Sequence, residues 1–146
     1  MPINLDNNAT TRPTPEVAEA VMRGLTGLWH NPSSVHRPGQ EARHALERAR
    51  ASIAALIGAS PRRVTLTASG TESIHLAVRG VLGATAKRTI VTTLVEHAAL
   101  RDLAEQLGGE GVTVRSLPLT ACGTADAEAL EGLIDDDTAL VSVQWA

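Results

Sequence analysis

Thr67-Ala68-Ser69-Gly70-Thr71-Glu72-Ser73 joins a stretch of strand character to a stretch of helical character through small, hydroxyl-bearing residues. Upstream, Val64-Thr65-Leu66-Thr67 alternates apolar and polar, as a half-buried strand does. Downstream, Leu76, Ala77, Gly80 and Val81 recur at helical spacing. A Ser-Gly-Thr turn at that junction leaves backbone N–H groups unpaired at a helix N-terminus, where an anion can accept them. Gly70 allows close approach of the backbone and Thr71 adds a hydroxyl donor, so the chemistry indicated is phosphate binding. The same segment has a plainer reading, in which Thr71 serves only as the N-cap of its helix.

Few other residues carry chemistry by type and spacing. His97, in Val95-Glu96-His97, stands near a helix start, where a polar side chain bonds to backbone or water. His36 closes the run Asn31-Pro32-Ser33-Ser34-Val35-His36 and reads as structural, while His30 and His44 read as surface residues. With no Cys/His cluster at ligand spacing, no metal is expected. The single Cys excludes an intramolecular disulfide. Cys122 falls in the loop Leu119-Thr120-Ala121-Cys122-Gly123-Thr124, between a strand and a helix, and reads as a bystander.

The elements that must position these residues alternate. An extended segment around Ile3-Asn4-Leu5 comes first. Thr14-Pro15 then opens a helix, Thr14 as N-cap and Pro15 at its first position, with Val17, Val21, Leu25 and Leu28 on the apolar face. The longest helix is expected from about Pro38 to Leu56, with Ala42, Leu46, Ala49, Ile53 and Leu56 facing inward and Gly58 stopping it. A strand ending at Thr67 and a helix from Thr71 follow, then a strand over Thr89-Thr93. Leu100, Leu103, Ala104 and Leu107 mark a helix ended by Gly108-Gly109. Val112 to Leu117 alternates as a strand, Asp126 caps a short helix, and Thr138 to Val143 is a last apolar strand. Strands alternating with helices imply βαβ units and a mainly parallel sheet.

At 146 residues one domain is expected, long enough for a core. A net charge of −3 gives no electrostatic reason to expect nucleic acid or an anionic membrane surface. No apolar run reaches the ~18 residues of a membrane span, and the start lacks the pattern of a signal peptide. A cytoplasmic location is expected.

Read in order, the segments Leu5-Asp6-Asn7-Asn8-Ala9-Thr10-Thr11, Asn31 to His36, Gly39-Gln40-Glu41-Ala42-Arg43, Ser69 to Ser73, Val95-Glu96-His97 and Ala139 to Ala146 form a series. That series resembles the N-terminal part of the cysteine desulfurases, pyridoxal-phosphate enzymes of the class V aminotransferase group and of fold type I. The Asn-Asn-Ala-Thr and Asn-Pro-Ser-Ser-Val-His forms are similar to the NifS/IscS branch rather than the SufS branch. The resemblance implies residues 1–13 as an extended leading segment and residues 14–146 as the first part of the cofactor-binding large domain. That fold is a three-layer α/β/α with a mainly parallel sheet, here incomplete. The family's strand order is 3-2-4-5-6-7-1, with the strand ending at Thr67 first at one edge and the next three strands 2, 3 and 4. Strands 5, 6 and 7 would be missing, leaving exposed strand edges.

The resemblance also assigns roles. It implies pyridoxal 5'-phosphate as cofactor, with Gly70 and Thr71 on its phosphate and His97 stacked on its ring in a proton-transfer role. Asn7 and Asn8 fall in the segment near the active-site mouth, where a substrate role and a plain turn role stand side by side. The implied reaction removes sulfur from L-cysteine and leaves alanine and an enzyme persulfide, for a scaffold protein of iron–sulfur assembly or for tRNA thiolation. The full-length enzyme would be a homodimer. The Lys that forms the Schiff base and the nucleophilic Cys are expected beyond residue 146, so the isolated chain should be inactive. Other class V enzymes, such as a selenocysteine lyase, share the pattern, as would a dead or split-enzyme fragment. One departure stands out: after Thr71-Glu72-Ser73 the family usually has Asp or Asn and then Asn, whereas this chain has Ile74 and His75.

Overall fold

A computed structural model describes the chain at residues 3, 5–7 and 9–145. The expectations at Asn4, Asn8 and Ala146 lie outside the described residues. The chain divides into two compact units, Met1–Leu66 and Thr67–Ala146.

The first unit is helical. α1 spans Pro15–Gly27 with Pro15 in its first turn, and its N-cap Thr14 accepts the Val17 N–H at 3.5 Å. The expected apolar face exists as a pattern but is not buried: no residue of α1 is, and Leu25 is 68% exposed. α2 spans Arg37–Leu56. Of its predicted face only Ala42 is buried; Ala54, outside that face, is buried too. The face stays open because no other helix of the unit packs on it. The 3-10 turn Pro61–Arg63 folds back on α2, and Arg50 of α2 donates to the Val64 carbonyl. α2 ends as expected at Gly58, whose N–H bonds the Ala55 carbonyl while Ala59 N–H bonds that of Ala54.

The strand expected to end at Thr67 does not form. Val64 is extended, at φ −100° and ψ 118°, but Val64–Thr67 pairs with no strand among the described residues. An alternating pattern yields a ladder only where a neighbour supplies the other half of its hydrogen bonds.

The second unit is α/β. α3 (Gly70–Gly83) leads to β1 (Thr89–Thr92), α4 (Ala98–Gly109), β2 (Thr113–Ser116), α5 (Ala127–Glu131) and β3 (Thr138–Val141). The three strands are parallel in the order β2-β1-β3, the 3-2-4 portion of the sheet expected from the resemblance. β1 is central and buried at all four positions. Its Ile90 packs with Val78 and Leu82 of α3 and with Leu100, Leu103 and Leu107 of α4, so both helices cover one core. β3 is half-buried, and its outer edge is unpaired among the described residues.

Two details fix the ends of these elements. α4 ends at Gly108-Gly109, as expected, with Glu110 as its C-cap. The reversal that follows falls at Gly111, whose φ of 88° only glycine adopts freely, with the Val112 N–H returning to the Leu107 carbonyl. At the opposite end of the sheet, Asp137 ties β1 to the start of β3. Its carboxylate accepts from the Arg88 N–H at 3.0 Å and the Thr89 hydroxyl at 2.8 Å.

Candidate functional site

The junction before α3 folds as a self-capped helix start. Ser69, not Thr71, is the N-cap: its hydroxyl accepts the Glu72 N–H at 3.2 Å, and the Glu72 carboxylate reaches back to the Ala68 N–H at 2.7 Å. This reciprocal pair is a capping box displaced by one residue, and the Glu72 charge also suits the helix dipole. Thr67 and Ser73 hydroxyls meet at 2.6 Å across the same turn. Thr71 is then free of capping duty. The N–H groups of Gly70 and Thr71 have no helical acceptor, both residues are exposed, and a Cβ built on Gly70 would meet nothing within 4 Å. Two donors, one hydroxyl and an open approach remain at the positive end of the helix. Those features fit a phosphate group.

His97 caps α4. Its Nδ1 accepts the Ala99 N–H at 3.1 Å, so in the neutral ring the proton sits on Nε2. The bland reading of the sequence, a histidine bonded to backbone at a helix start, therefore holds for Nδ1 and leaves Nε2–H for a ligand. The preceding residue was not singled out by sequence reasoning. Glu96 is 8% exposed, and its Oε1 accepts the Gln144 N–H at 2.6 Å and the Thr93 hydroxyl at 3.4 Å. The only signal for it was its place beside His97.

A cavity of about 480 Å³ opens among these groups, lined by Ile74 and Ala77 of α3, by Glu96 and His97, and by Ser142 and Gln144 after β3. It lies outside the carboxyl ends of β1 and β3, where open α/β sheets take ligands. Ile74, the departure noted above, packs on the core beside it. His97 thus shares one cavity with α3, whereas Gly70 and Thr71 lie one turn back along that helix and do not line it. A second cavity, about 470 Å³, lies between Thr93 and Val95, the Gly123–Ala125 turn, and Val143 to Trp145.

The remaining candidates lie elsewhere. Asn7 belongs to a turn in which the Asp6 carbonyl accepts the Ala9 and Thr10 N–H groups, at 3.2 and 3.4 Å. His36 caps α2, its Nδ1 accepting the Gly39 N–H at 3.2 Å, and its ring meets His30 edge-on. Cys122 is exposed. Lys87, the chain's one Lys, donates Nζ to the Thr138 carbonyl at the starts of β1 and β3. The length of β1, about 13 Å at ~3.3 Å per residue, separates its backbone from the turn that bears His97. Among the described residues no group of three or more His, Cys, Asp or Glu could hold a metal ion.

The family model for aminotransferase class-V matches residues 3–146, and the chain belongs to that family. A cysteine desulfurase of Trichormus azollae is 43% identical over 99% of the chain, which spans 36% of that relative's length. Among solved structures, a NifS-like protein superposes with a TM-score of 0.91 at 37% identity, over 98% of this chain and 40% of its own. A second, described as SspA in complex with cysteine, gives a TM-score of 0.86 at 28% identity, over 94% and 40% of the two chains.

Proposed function

We propose that this chain is the first part of a cysteine desulfurase, which takes sulfur from L-cysteine as a persulfide on an enzyme thiol and releases L-alanine. The observation that carries the proposal is the desulfurase likeness over 99% of the chain, joined to a helix start and a helix-capping histidine that suit a phosphorylated aromatic cofactor. Residues 1–13 are the leading segment and residues 14–146 the first part of the cofactor-binding domain.

Pyridoxal phosphate, when bound, supplies the electron sink that cysteine's carbon–sulfur cleavage needs. The chain's own residues bind and orient. Gly70 and Thr71 give backbone N–H groups and a hydroxyl to the phosphate. His97 presents its ring to the cofactor's ring, with Nδ1 held by the helix and Nε2–H as the exchangeable proton. Asn7 and Asn8 are assigned to the substrate side. Lys87, engaged at the far end of β1, is not the Lys that carries the cofactor. Cys122 is not the thiol that accepts sulfur.

The whole protein is a cytoplasmic homodimer that delivers sulfur to a scaffold protein. Nucleic acid and anionic membrane are not its partners, since a net charge of −3 gives no electrostatic attraction to either. The test is complementation. The purified chain with pyridoxal phosphate should form no alanine from L-cysteine. Joined to the C-terminal remainder of the Trichormus azollae relative, it should form alanine, and the joined His97→Ala and Thr71→Ala variants should lose most of that activity. Alanine formation by the isolated chain, or a joined protein indifferent to both substitutions, refutes the reading.

A further inference from the structure

Glu96 is a carboxylate largely removed from water with no Lys or Arg to pair with it: none of the ion pairs among the described residues includes it. Burial of that kind is costly unless hydrogen-bond donors replace water. Both donors that do so come from strand ends. Thr93 directly follows β1, and Gln144 follows β3, 48 residues away in sequence. The Gln144 contact, at 2.6 Å, has the short length of a charge-assisted bond. The other oxygen, Oε2, has no partner among the described residues, and the side chain lines the cavity that His97 lines. The next residue, His97, holds the N-cap of α4 at φ −56° and ψ 142°, so whatever anchors Glu96 also sets where the imidazole starts.

We propose that Glu96 is the positioning residue of this site. Its carboxylate fastens the turn that delivers His97 to the segment leaving β3. It thereby keeps the His97 ring on the Ala99 N–H with Nε2–H turned outward. Glu96 works as an acceptor for a backbone donor, and it acts on any ligand through His97. Its bearing on cofactor affinity rests on the function proposed above; its effect on the histidine does not.

The experiment uses the purified 146-residue chain, labelled for ring-nitrogen NMR of histidine, with amide exchange at Gln144 and Ala99 and a titration with pyridoxal phosphate. Wild type, Glu96→Gln and Glu96→Ala are compared. Wild-type His97 should show the Nε2–H tautomer with a slowly exchanging Gln144 amide. Glu96→Ala should give a mixed tautomer, and amides at Gln144 and Ala99 that exchange roughly tenfold faster or more. Glu96→Gln, which keeps an acceptor oxygen, should return both readouts to within about threefold of wild type. A Glu96→Ala chain with unchanged tautomer and Gln144 exchange overturns the proposal, as does a Glu96→Gln chain as impaired as the alanine variant. If Glu96→Ala fails to fold by circular dichroism, the glutamine variant and the wild type decide. A wild-type Gln144 amide that exchanges as fast as that of Trp145 then overturns it. Failure of the wild type to bind pyridoxal phosphate, with the histidine and amide effects intact, is expected of a chain whose Lys87 does not carry the cofactor and leaves the positioning role standing; the proposed function is refuted instead by a joined protein that forms no alanine.

Discussion

Gly39 offers a substitution whose sign the structure reverses. Gly39 lies in the first turn of α2, where Gly→Ala ordinarily stabilises a helix by up to ~1 kcal/mol. Here an added Cβ would lie 2.7 Å from Ser34 Cβ and 2.8 Å from the carbonyl oxygens of both Asn31 and Ser34. Unstrained carbon contacts need about 3.5–4.0 Å. Two of the three obstacles are backbone, so no rotamer change relieves them and the 31–34 turn must move. Moving it disturbs the Ser34 N–H bond to Asn31 O at 3.0 Å and the Gln40 side-chain bond to Ser34 O at 2.6 Å. Overpacking of this kind costs about 1–3 kcal/mol. Offset by the propensity gain, Gly39→Ala should destabilise the first unit by up to about 2 kcal/mol.

Gly80, inside α3 with nothing within 4 Å of its Cβ, is the control, and Gly80→Ala should stabilise by roughly 0.5–1 kcal/mol. Urea unfolding reports the first unit through Trp29, which stacks on His30 with ring centroids 3.9 Å apart, in a Trp145→Phe background. Far-UV circular dichroism reports Gly80→Ala. A Gly39→Ala chain as stable as its parent would refute the packing argument.

Three further outcomes are expected. Ser69→Ala removes the hydroxyl that caps α3 and should cost about 1 kcal/mol in urea unfolding; no loss would mean that the Glu72–Ala68 bond suffices alone. Thr92→Val replaces a buried hydroxyl that has no hydrogen-bond partner among the described residues, so it should raise stability by roughly 1 kcal/mol, and a fall in the urea midpoint would show a partner for Oγ1. Glu110 and Asp135 are held below the ordinary carboxylate range, chiefly by hydrogen bonds from Arg79 and Arg115. Their contribution is complete above the unfolded values and is lost as pH falls through the lowered folded ones. Stability of the second unit should therefore decline on acidification from about 4.5 downward, less steeply in an Arg79→Met, Arg115→Met double variant; equal slopes would sink the assignment.

Local signals made much of this fold readable in advance. Thr14-Pro15 marked the start of α1, Gly58 the end of α2, and the leucine spacing from Leu100 to Leu107 the buried face of α4. What the residues concealed depends on partners distant in sequence. Val64–Thr67 has the composition of a strand, but composition does not supply a neighbour. Gly108-Gly109 ends α4 as the pattern indicated, but the left-handed residue that turns the chain into β2 is Gly111, two positions on. At the candidate site, the Ser69 cap was one spacing choice away from the Thr71 cap that the pattern suggested. The His97 bond to backbone at a helix start was legible, whereas the reach of Glu96 to Gln144 was not, because a contact across 48 residues leaves no periodic trace.

The central position of β1 orders assembly in time. Its pairing with β2 spans α4 alone, whereas its pairing with β3 closes roughly twice as long a segment. Each doubling of a loop adds about 0.6 kcal/mol of closure entropy, and of the three strands β3 is synthesised after the other two. A nascent chain can therefore close β1–α4–β2 while β3 is still within the ribosome. Only afterwards can Asp137 fasten one end of the sheet and Gln144 dock on Glu96 at the other, so the cavity's far wall is the last part of this unit to be built.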